Sequence, residues 1–428
     1  MSSCCPVPNT YQPLIRDCAG NIRPLSSNES LWAETINGTE PWIQLTENTT
    51  YYVETWGSDT DGDGSADNPW ATPFGALDFL ARVRPATYTI TVQMGYGHFT
   101  LDRIIQPNLP SGGAVTFKGY RTNTNALTPT ISNIDTTYTD NPNPGPSGTY
   151  LTYFDFEVDL TGLTGLSDVK VGDFYRIAEV SSGTTNPTAI IGLHEIIDLD
   201  TGTDVITCRA WHRKGCAALP TGAVQIDDGN IIHTTITWET AYDGHGFEVI
   251  GSNGGQWEDM IIIGNQNQFD TRRGVRCWAG GSIDLNPRFG IHNFDVGAEV
   301  YAGGNYEGPV SSISKCWTLG ASVGSGGNFR MSFAGSTING CGTAAVQCQQ
   351  NSCCVMHDCE VIGCGNTYSV LAWNGGYIDI ADGAVRHESN STSIPIYATT
   401  LGNIYYNGTT VTDYTTSPTS ATQGRIQN

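Results

Sequence analysis

Positive charge is scarce in this chain of 428 residues. It holds 20 Lys and Arg against 42 Asp and Glu, which gives a formal net charge of -22. Such a surface repels nucleic-acid phosphates and anionic lipid headgroups. We therefore expect no nucleic-acid partner, and solubility of a large β protein is the simplest use of the negative charge.

Long apolar runs are missing as well. No window of about 20 apolar residues could span a bilayer, and residues 1–20 lack the basic start and apolar centre of a secretory signal. These absences predict no membrane insertion and synthesis in a cytoplasm. The 13 Cys are then expected to be reduced and mostly buried, because a zinc site around Cys353 to Cys364 would lack a second correctly spaced pair.

Helical periodicity is absent from most of the chain. Charged residues make up only 14% of it, Gly numbers 51, and many short apolar runs end in Gly, Asn or Ser, which is typical of strands joined by tight turns. One short stretch is different and predicts an amphipathic helix that caps one end of the fold. It has Thr72 as N-cap, Pro73 at the first position, and Phe74, Leu77, Leu80 and Val83 on one face.

A repeat in the second half of the chain predicts the fold. An apolar strand centre returns every 23 to 26 residues, which is the length of one coil of three short strands and three turns. Cys316, Cys341 and Cys364 return at a similar interval and are expected to form a ladder of small buried thiols. The pattern predicts an all-β parallel β-helix, a solenoid whose coils are centred on Val249, Val275, Val300, Val323, Val346, Val370 and Ile396.

The pattern changes along the chain and divides it into segments. We expect an irregular N-terminal attachment segment at 1–48, the capping helix and first coils at 49–160, and the main coils at 241–415. Alternating strands that break the coil pattern predict a small antiparallel β unit inserted at 161–240. Residues 416–428 are expected to be a loose C-terminal tail.

The opening of the coil region resembles a known family. Tyr51-Tyr52-Val53, Gly57-Ser58-Asp59, Asn68-Pro69-Trp70 and Val92-Gln93-Met94-Gly95 are similar to the start of pectate-lyase-like, right-handed parallel β-helix proteins, and most of all to bacteriophage tailspikes and tail fibres. The segments Val171-Gly172-Asp173-Phe174 and Gly244-His245-Gly246-Phe247 resemble the bounds of insertions in those virion proteins. The resemblance covers roughly residues 50 to 410 and describes architecture better than activity.

The resemblance implies a role on a virion. It predicts a homotrimer on the phage tail, made in the host cytoplasm, joined through its N-terminus to a tail or baseplate protein, and in contact with a host surface glycan. On this interpretation the chain binds polysaccharide or lipopolysaccharide during adsorption. Two alternatives stay open: a polysaccharide depolymerase, hydrolase or lyase, on the same β-helix, and a structural virion part, such as a head fibre or adaptor, that binds no glycan.

Two acidic residues are the candidates for glycan hydrolysis. Asp270 and Asp295 lie at the same offset in successive coils, so they are expected to be roughly 5 Å apart. Carboxyl groups that close raise one of the two pKa values and provide an acid beside a base. The competing explanation is that both are solvated turn residues.

Aromatic and basic residues nearby suit a glycan-binding surface. Flat rings offer apolar faces to sugars, and guanidinium groups offer donors to acidic substituents. Trp278 is expected to point outward, because it lies three residues past its coil centre. The candidate glycan-binding residues are Trp257, Trp278, Tyr301, Tyr306, Arg272 and Arg273.

An acidic loop before the helix suggests a cofactor. Carboxylates at loop positions one, three, five and nine, with Gly at six, match a calcium loop, although Trp70 replaces the bidentate carboxylate at position twelve. The candidate calcium ligands are Asp59, Asp61, Asp63 and Asp67. The alternative is an acidic turn that leads into the helix, with no metal.

Overall fold

The computed structural model shows a chain that is nearly all β. It describes residues 14–16, 22–24, 30–32, 42–84, 88–109, 114–135, 139–140, 151–164, 166–182, 190–213, 224–239, 242, 244–264, 272–309, 311–362, 368–386, 394–412, 419–421 and 425–427. Within these ranges no helix has the length and apolarity needed to cross a membrane. The helical elements are α1 (Pro73–Leu80) and the short 3-10 helices η1 (Asn125–Leu127) and η2 (Leu166–Asp168).

The strands before the second half of the chain form the start of the stack and an inserted unit. They are β1 (Leu14–Arg16), β2 (Ile22–Pro24), β3 (Ser30–Trp32), β4 (Trp42–Gln44), β5 (Thr49–Val53), β6 (Val83–Arg84), β7 (Ile90–Met94), β8 (Gly97–Leu101), β9 (Val115–Lys118), β10 (Arg121–Asn123), β11 (Thr130–Ile134), β12 (Thr139–Asp140), β13 (Leu151–Asp159), β14 (Phe174–Ser182), β15 (Gly192–Asp200), β16 (Val205–Arg213), β17 (Val224–Ile232) and β18 (Thr234–Trp238).

The remaining strands repeat in groups of three. They are β19 (Phe247–Ile250), β20 (Asn253–Glu258), β21 (Met260–Ile263), β22 (Arg273–Trp278), β23 (Ser282–Leu285), β24 (Gly290–His292), β25 (Val296–Val300), β26 (Asn305–Glu307), β27 (Ser312–Ser314), β28 (Leu319–Val323), β29 (Asn328–Asn339), β30 (Ala344–Cys348), β31 (Cys353–Ile362), β32 (Tyr368–Ala372), β33 (Tyr377–Ala381), β34 (Ala384–Arg386), β35 (Ile394–Thr399), β36 (Asn403–Tyr405), β37 (Thr410–Thr412), β38 (Thr419–Ala421) and β39 (Arg425–Gln427).

The strands stack in parallel into a right-handed β-helix of about ten turns, as predicted. Each strand pairs with the equivalent strand one coil away, so the solenoid has three faces. Face A contains β5, β7, β9, β20, β23, β26, β33, β36, β39 and the first halves of the long strands β29 and β31. Face B contains β8, β18, β21, β24, β27, β34, β37 and the second halves of β29 and β31. Face C contains β19, β22, β25, β28, β30, β32, β35 and β38.

The predicted coil centres all point into the core, but they form two columns rather than one. Val300 pairs with Val323, while Val346 pairs with Ala321 and therefore lies two positions along the strand. A shift of two residues keeps a side chain on the same side of a strand, so all of these centres are fully buried. The thiol ladder is confirmed for Cys316 and Cys341, which are fully buried, whereas Cys364 lies outside the described residues.

Glycine marks the corner at which four successive coils enter face C, at Gly246, Gly274, Gly297 and Gly320. A Cβ atom on Gly297 would lie 2.6 Å from the carbonyl oxygen of Gly320, and one on Gly320 would lie 2.6 Å from the carbonyl oxygen of Ala345. Real Cβ atoms essentially never come so close to another heavy atom. At this corner successive coils pack backbone against backbone.

The predicted helix is present and closes the N-terminal end of the core. Thr72 is its N-cap, and its Oγ1 accepts a hydrogen bond from the Phe74 backbone N–H at 3.2 Å. Phe74 and Leu80 are buried in the same apolar cluster as the coil strands. Val83 is also buried but belongs to β6, so the helix ends before it.

The predicted insertion is a closed antiparallel barrel. Its six strands pair in the cycle β11, β13, β16, β15, β14, β17 and back to β11, while β10 pairs with the end of β17 and β12 with the start of β13. The barrel has a separate apolar core that includes Phe156, Tyr175 and Ile206. Closure leaves no unpaired edge in the ring, which is how a small β unit avoids aggregation.

The barrel packs against face B. Phe174 and Leu193 of the barrel meet Ile261 of the coil in a small apolar cluster. Buried cations support this contact, because the Arg176 guanidinium donates to the Gly335 carbonyl and the Lys315 ammonium lies 3.9 Å from the Trp211 ring centre.

The two chain crossings between coil and barrel are joined to each other. The His233 backbone N–H donates to the Tyr120 carbonyl at 3.0 Å, so the chain leaves and returns at one place. The buried His233 ring contacts Asp173 through Nδ1 and Thr122 through Nε2, both at 2.8 Å, and it stacks on Tyr96. This network fixes the barrel to the coil at its root.

Several expected boundaries need correction. The barrel begins at Arg121 and ends at Ile232, not at 161–240, because the alternation of β10 to β13 does not reveal that their partners are antiparallel. Most of the expected attachment segment, 1–48, lies outside the described residues, although β4 pairs with β6. The expected tail at 416–428 contributes β38 and β39, which continue the stack.

The glycine corner gives the first test. We expect Gly320→Ala to lower the free energy of unfolding by about 1–3 kcal/mol, because the added methyl group meets backbone that cannot rotate away. Gly202→Ala is the matched control, since a Cβ there meets only the flexible Asp200 carboxylate at 3.3 Å. Urea denaturation followed by circular dichroism measures both, and equal stabilities would contradict the packing argument.

Candidate functional site

Charged side chains line the outside of face C in successive coils. Strand alternation points Val275 and Cys277 into the core and Arg276 outward, and the register then places Glu248 and Glu299 directly beside Arg276 on the neighbouring strands. We call the group of Glu248, Arg273, Arg276, Asp295 and Glu299 the face C ladder. It combines two guanidinium groups with three carboxylates.

Ion pairs connect the ladder along the solenoid axis. The Arg276 guanidinium lies 3.1 Å from Glu248 Oε1 through Nη1 and 2.9 Å from Glu299 Oε2 through Nε. Arg273 Nε donates to Glu299 Oε1 at 2.9 Å, and its Nη1 lies 3.4 Å from Asp295 Oδ2. The side chains of these five residues keep between 13% and 26% of their exposure, so solvent and a ligand reach them.

A histidine and a threonine hold the ladder from the side. His245 Nδ1 accepts a hydrogen bond from the Arg273 backbone N–H at 3.3 Å, and burial followed by the nearby Arg276 charge lowers the pKa of His245. The neutral imidazole is therefore the main form at neutral pH. Thr318 Oγ1 donates to Asp295 Oδ1 at 2.9 Å, which orients that carboxylate.

Two aromatic rings extend the ladder into an apolar surface. Trp278 ends β22 and Tyr301 directly follows β25; both are half-buried, with ring centres 5.8 Å apart and planes 15° from parallel. Arg276 lies 4.4 Å above the Trp278 ring. The outward direction predicted for Trp278 agrees with this geometry.

Tyr301 is held in place by its surroundings. Its ring lies over Gly324, where a Cβ atom would be 2.6 Å from Cε1, and its hydroxyl accepts from Gln349 Nε2 at 2.7 Å and contacts Ser322 Oγ at 3.2 Å. The ring is therefore positioned before any ligand arrives. The glycine makes room for it.

A shallow groove continues from the ladder toward the N-terminal end. It has a volume of about 320 Å³ and is lined by residues 106–108, Glu248 and residues 250–252. Gln106 Nε2 donates to Glu248 Oε2 at 2.9 Å, and Ile250 is 51% exposed. Groove, ladder and rings together form one mixed polar and apolar strip along face C.

Three of the predicted glycan-binding residues are not on this surface. Trp257 is fully buried against Phe117, with ring centres 3.9 Å apart, and Tyr306 is fully buried against Phe329. Both occupy inward positions of face A, so their rings fill the core. Arg272 is 6% exposed and therefore contributes little to a surface.

The structure describes only one member of the expected carboxylate pair. Asp295 belongs to the face C ladder, whereas Asp270 lies outside the described residues. Their separation stays a prediction.

The expected calcium loop has another use. Asp59 Oδ1 accepts hydrogen bonds from the Ala71 and Thr72 backbone N–H groups, each at 2.9 Å, at the start of α1. Asp63 Oδ1 accepts from the Ser65 backbone N–H, which lowers the pKa of Asp63. Across the described residues no group of three or more His, Cys, Asp or Glu side chains could hold a metal ion, so Asp59, Asp61, Asp63 and Asp67 do not form such a group in this structure. Asp59 therefore orders the helix start, and calcium binding by the loop stays a prediction.

Three further acids cluster on face A, and no pattern in the sequence singled them out. Glu258, Asp284 and Glu307 lie on the outside of face A, and register places Asp284 beside Glu307. Burial, then the charges of Glu307 and Glu258, raise the pKa of Asp284 to about 6. Asp259, which follows Glu258, is buried and accepts a hydrogen bond from Arg288 Nε at 2.6 Å, so it is structural.

Comparison with known proteins adds the following. No family model matches the chain, and none of the curated proteins matches it. Among solved structures it is similar to the Gp54 tailspike of Acinetobacter baumannii bacteriophage AP22 in complex with capsular saccharide, at 11% identity and TM-score 0.22, over 80% of this chain and 61% of the tailspike. It is also similar to the GH136 lacto-N-biosidase from Eubacterium ramulus, at 8% identity and TM-score 0.29, over 89% and 68% of the two chains.

A third similar structure is described only as a glycoside hydrolase, at 9% identity and TM-score 0.17, over 86% of this chain and 96% of the other. This chain spans about 61% of the tailspike's length. Likenesses at such TM-scores carry no argument about a site, so the geometry described above stands by itself.

The face A carboxylates give a prediction for pH. Because the pKa of Asp284 is raised from 3.8 to about 6, its ionisation opposes folding; the penalty is absent below pH 3.8 and complete above about 6. Asp284→Asn should therefore stabilise the chain by about 1 kcal/mol at about pH 7, after allowance for solvent screening, and by much less at about pH 4.

Thermal melts of the wild type and of Asp284→Asn, at about pH 4 and about pH 7, measure this difference. Asp102→Asn, at an exposed residue, is the control and should change neither melt. A gain that is equal at both pH values would refute the electrostatic cause.

Proposed function

We propose that this protein is a phage tail fibre or tailspike that binds a cell-surface polysaccharide or lipopolysaccharide along face C. The observation that carries the proposal is the continuous strip of face C ladder, Trp278 and Tyr301. Its polar groups and its rings lie on or directly beside neighbouring strands of a rigid sheet. Such a surface is preorganised for an extended ligand.

The chemistry of the strip suits sugars. A sugar ring presents hydroxyl groups around its edge and C–H groups on its faces. The carboxylates and guanidinium groups of the ladder offer fixed acceptors and donors to the hydroxyls, while Trp278 and Tyr301 offer flat apolar contact to the C–H groups. Glu248, Arg276 and Glu299 lie on three successive coils at the strand spacing of about 4.8 Å, so the strip can follow a short run of sugars along the axis.

The place of the protein on a virion is the wider part of the proposal and follows from the family resemblance. We expect a homotrimer on the phage tail, made in the host cytoplasm, whose N-terminal segment joins a tail or baseplate protein. A structural virion part without glycan binding is the competing function. It predicts that no change on face C affects adsorption.

A second candidate function is depolymerisation of the same glycan. Hydrolysis needs a protonated carboxyl close to an ionised one. Asp284, with its raised pKa beside Glu258 and Glu307, is favoured for the acid on face A. The predicted pair Asp270 and Asp295 stays the alternative, with Asp295 in the face C ladder.

Aromatic truncation tests glycan binding. We expect Trp278→Ala and Tyr301→Ala each to weaken adsorption to host cells, or to purified host polysaccharide, by about tenfold or more, because a stacked ring contributes over 1 kcal/mol. Tyr377→Ala is the matched control, since Tyr377 is 40% exposed on face A. Equal loss in all three variants, or in none, would contradict the assignment to face C.

Sugar release from host polysaccharide tests depolymerisation. If face A is the catalytic surface, Asp284→Asn should reduce release by at least about a hundredfold while adsorption persists. If the predicted pair acts instead, Asp270→Asn and Asp295→Asn should do so. Wild-type protein that adsorbs but releases no oligosaccharide would leave binding as the function and remove the catalytic candidate.

A further inference from the structure

The ion pairs within the face C ladder affect which charge a ligand can carry. Its two guanidinium groups are already engaged by carboxylates of this chain. Arg276 lies between Glu248 and Glu299 at 3.1 and 2.9 Å, and Arg273 lies between Glu299 and Asp295 at 2.9 and 3.4 Å. The three carboxylates outnumber the two cations.

Three other arginines add no accessible positive charge to the ladder, and the first of them, Arg272, is only 6% exposed. Arg288 is bonded to Asp259 at 2.6 Å, and Arg121 lies 3.2 Å from the same carboxylate. Burial and Arg276 lower the pKa of His245, so it adds no positive charge at neutral pH. The sequence suggested that arginines here bind acidic substituents of a glycan. In the structure, the arginines of the ladder are instead paired with carboxylates of this chain.

An anionic sugar would have to displace one of these carboxylates. A uronate that took an Arg273 or Arg276 guanidinium would leave a half-buried glutamate without its partner, beside two further negative charges. Leaving one member of a desolvated pair alone costs more than the new pair gains. Hydroxyl and acetamido groups face no such conflict, because they can donate to the remaining lone pairs of Glu248 and Glu299 without displacing an arginine.

We propose that face C selects uncharged glycans, built of neutral or N-acetylated sugars, and excludes those rich in uronic or sialic acid. The inference rests on the proposed glycan-binding function. Glu248 and Glu299 are its specificity-determining residues, since they hold the guanidinium groups away from an anionic ligand. Trp278 and Tyr301 provide affinity that does not depend on charge.

Removal of the two glutamate charges tests the selectivity. Wild-type protein and the double variant Glu248→Gln/Glu299→Gln are compared on an array of neutral and uronic-acid oligosaccharides at fixed ionic strength, with Trp278→Ala in both backgrounds to identify binding at face C. The control Glu47→Gln/Glu179→Gln makes the same change of charge at exposed residues outside the ladder. Melting temperatures are measured for every variant.

The proposal predicts that wild type binds neutral glycans at least about tenfold more tightly than uronic-acid glycans. The double variant should gain about tenfold for the uronic-acid ligands, because Arg273 and Arg276 are released, and the control should gain nothing. Salt should weaken only the newly gained binding.

Two other results would show whether the selectivity alone or the glycan-binding function itself is wrong. Tight wild-type binding of uronic-acid glycans that Trp278→Ala abolishes would overturn the selectivity but support the glycan site. Absence of any binding that depends on Trp278, to ligands of either charge, would overturn the proposed function and the selectivity with it. An equal gain in the control variant would also overturn the proposal, because net charge alone would then explain it.

Discussion

Hydrogen bonding between successive coils is the constraint on which the rest of this structure depends. Strands such as β22, β25 and β28 are too short to be stable alone, and each satisfies its backbone groups only through the coil above and the coil below. This requirement sets the repeat length and directs every second side chain of a strand into the core. It also keeps the outward residues of neighbouring coils side by side. The face C ladder is a direct consequence, because register brings Glu248, Arg276 and Glu299 together although they are far apart in sequence.

Much of the fold can be predicted from the sequence because a solenoid repeats one local rule. The coil length follows from the spacing of residues such as Val300 and Val323, and the cap follows from Thr72 and Pro73. Strand direction is harder to predict, since the alternation in β13 suits a parallel or an antiparallel partner equally well. The sequence therefore predicts the start of the barrel forty residues too late, at 161 instead of Arg121. No sequence pattern indicates that its strands close into a ring. A shift of two residues in register, as between Val323 and Val346, is also invisible because it preserves the inward direction.

The site could be predicted in part for the same reason. Trp278, Tyr301, Arg273 and Asp295 belong to face C, where the repeat is regular, and the structure brings them together. On face A, β20 pairs with β23 with a register shift between Asn253 and Gln256, so counting along the strand does not give the side on which Trp257 lies. The engagement of both arginines by glutamates depends on side-chain conformation across three coils. No pattern within one coil contains that information.

The root of the barrel has a consequence for how such chains can change over evolutionary time. The backbone ladder of the rod runs without interruption from β9 to β20 on face A and from β8 through β18 to β21 on face B, so the barrel interrupts the chain but not the stack. Its two ends meet where the His233 N–H donates to the Tyr120 carbonyl. A unit attached in this way can be lost, gained or exchanged between lineages through a single pair of recombination points. The rod and the surface along its flank would keep their geometry while the appended module varied.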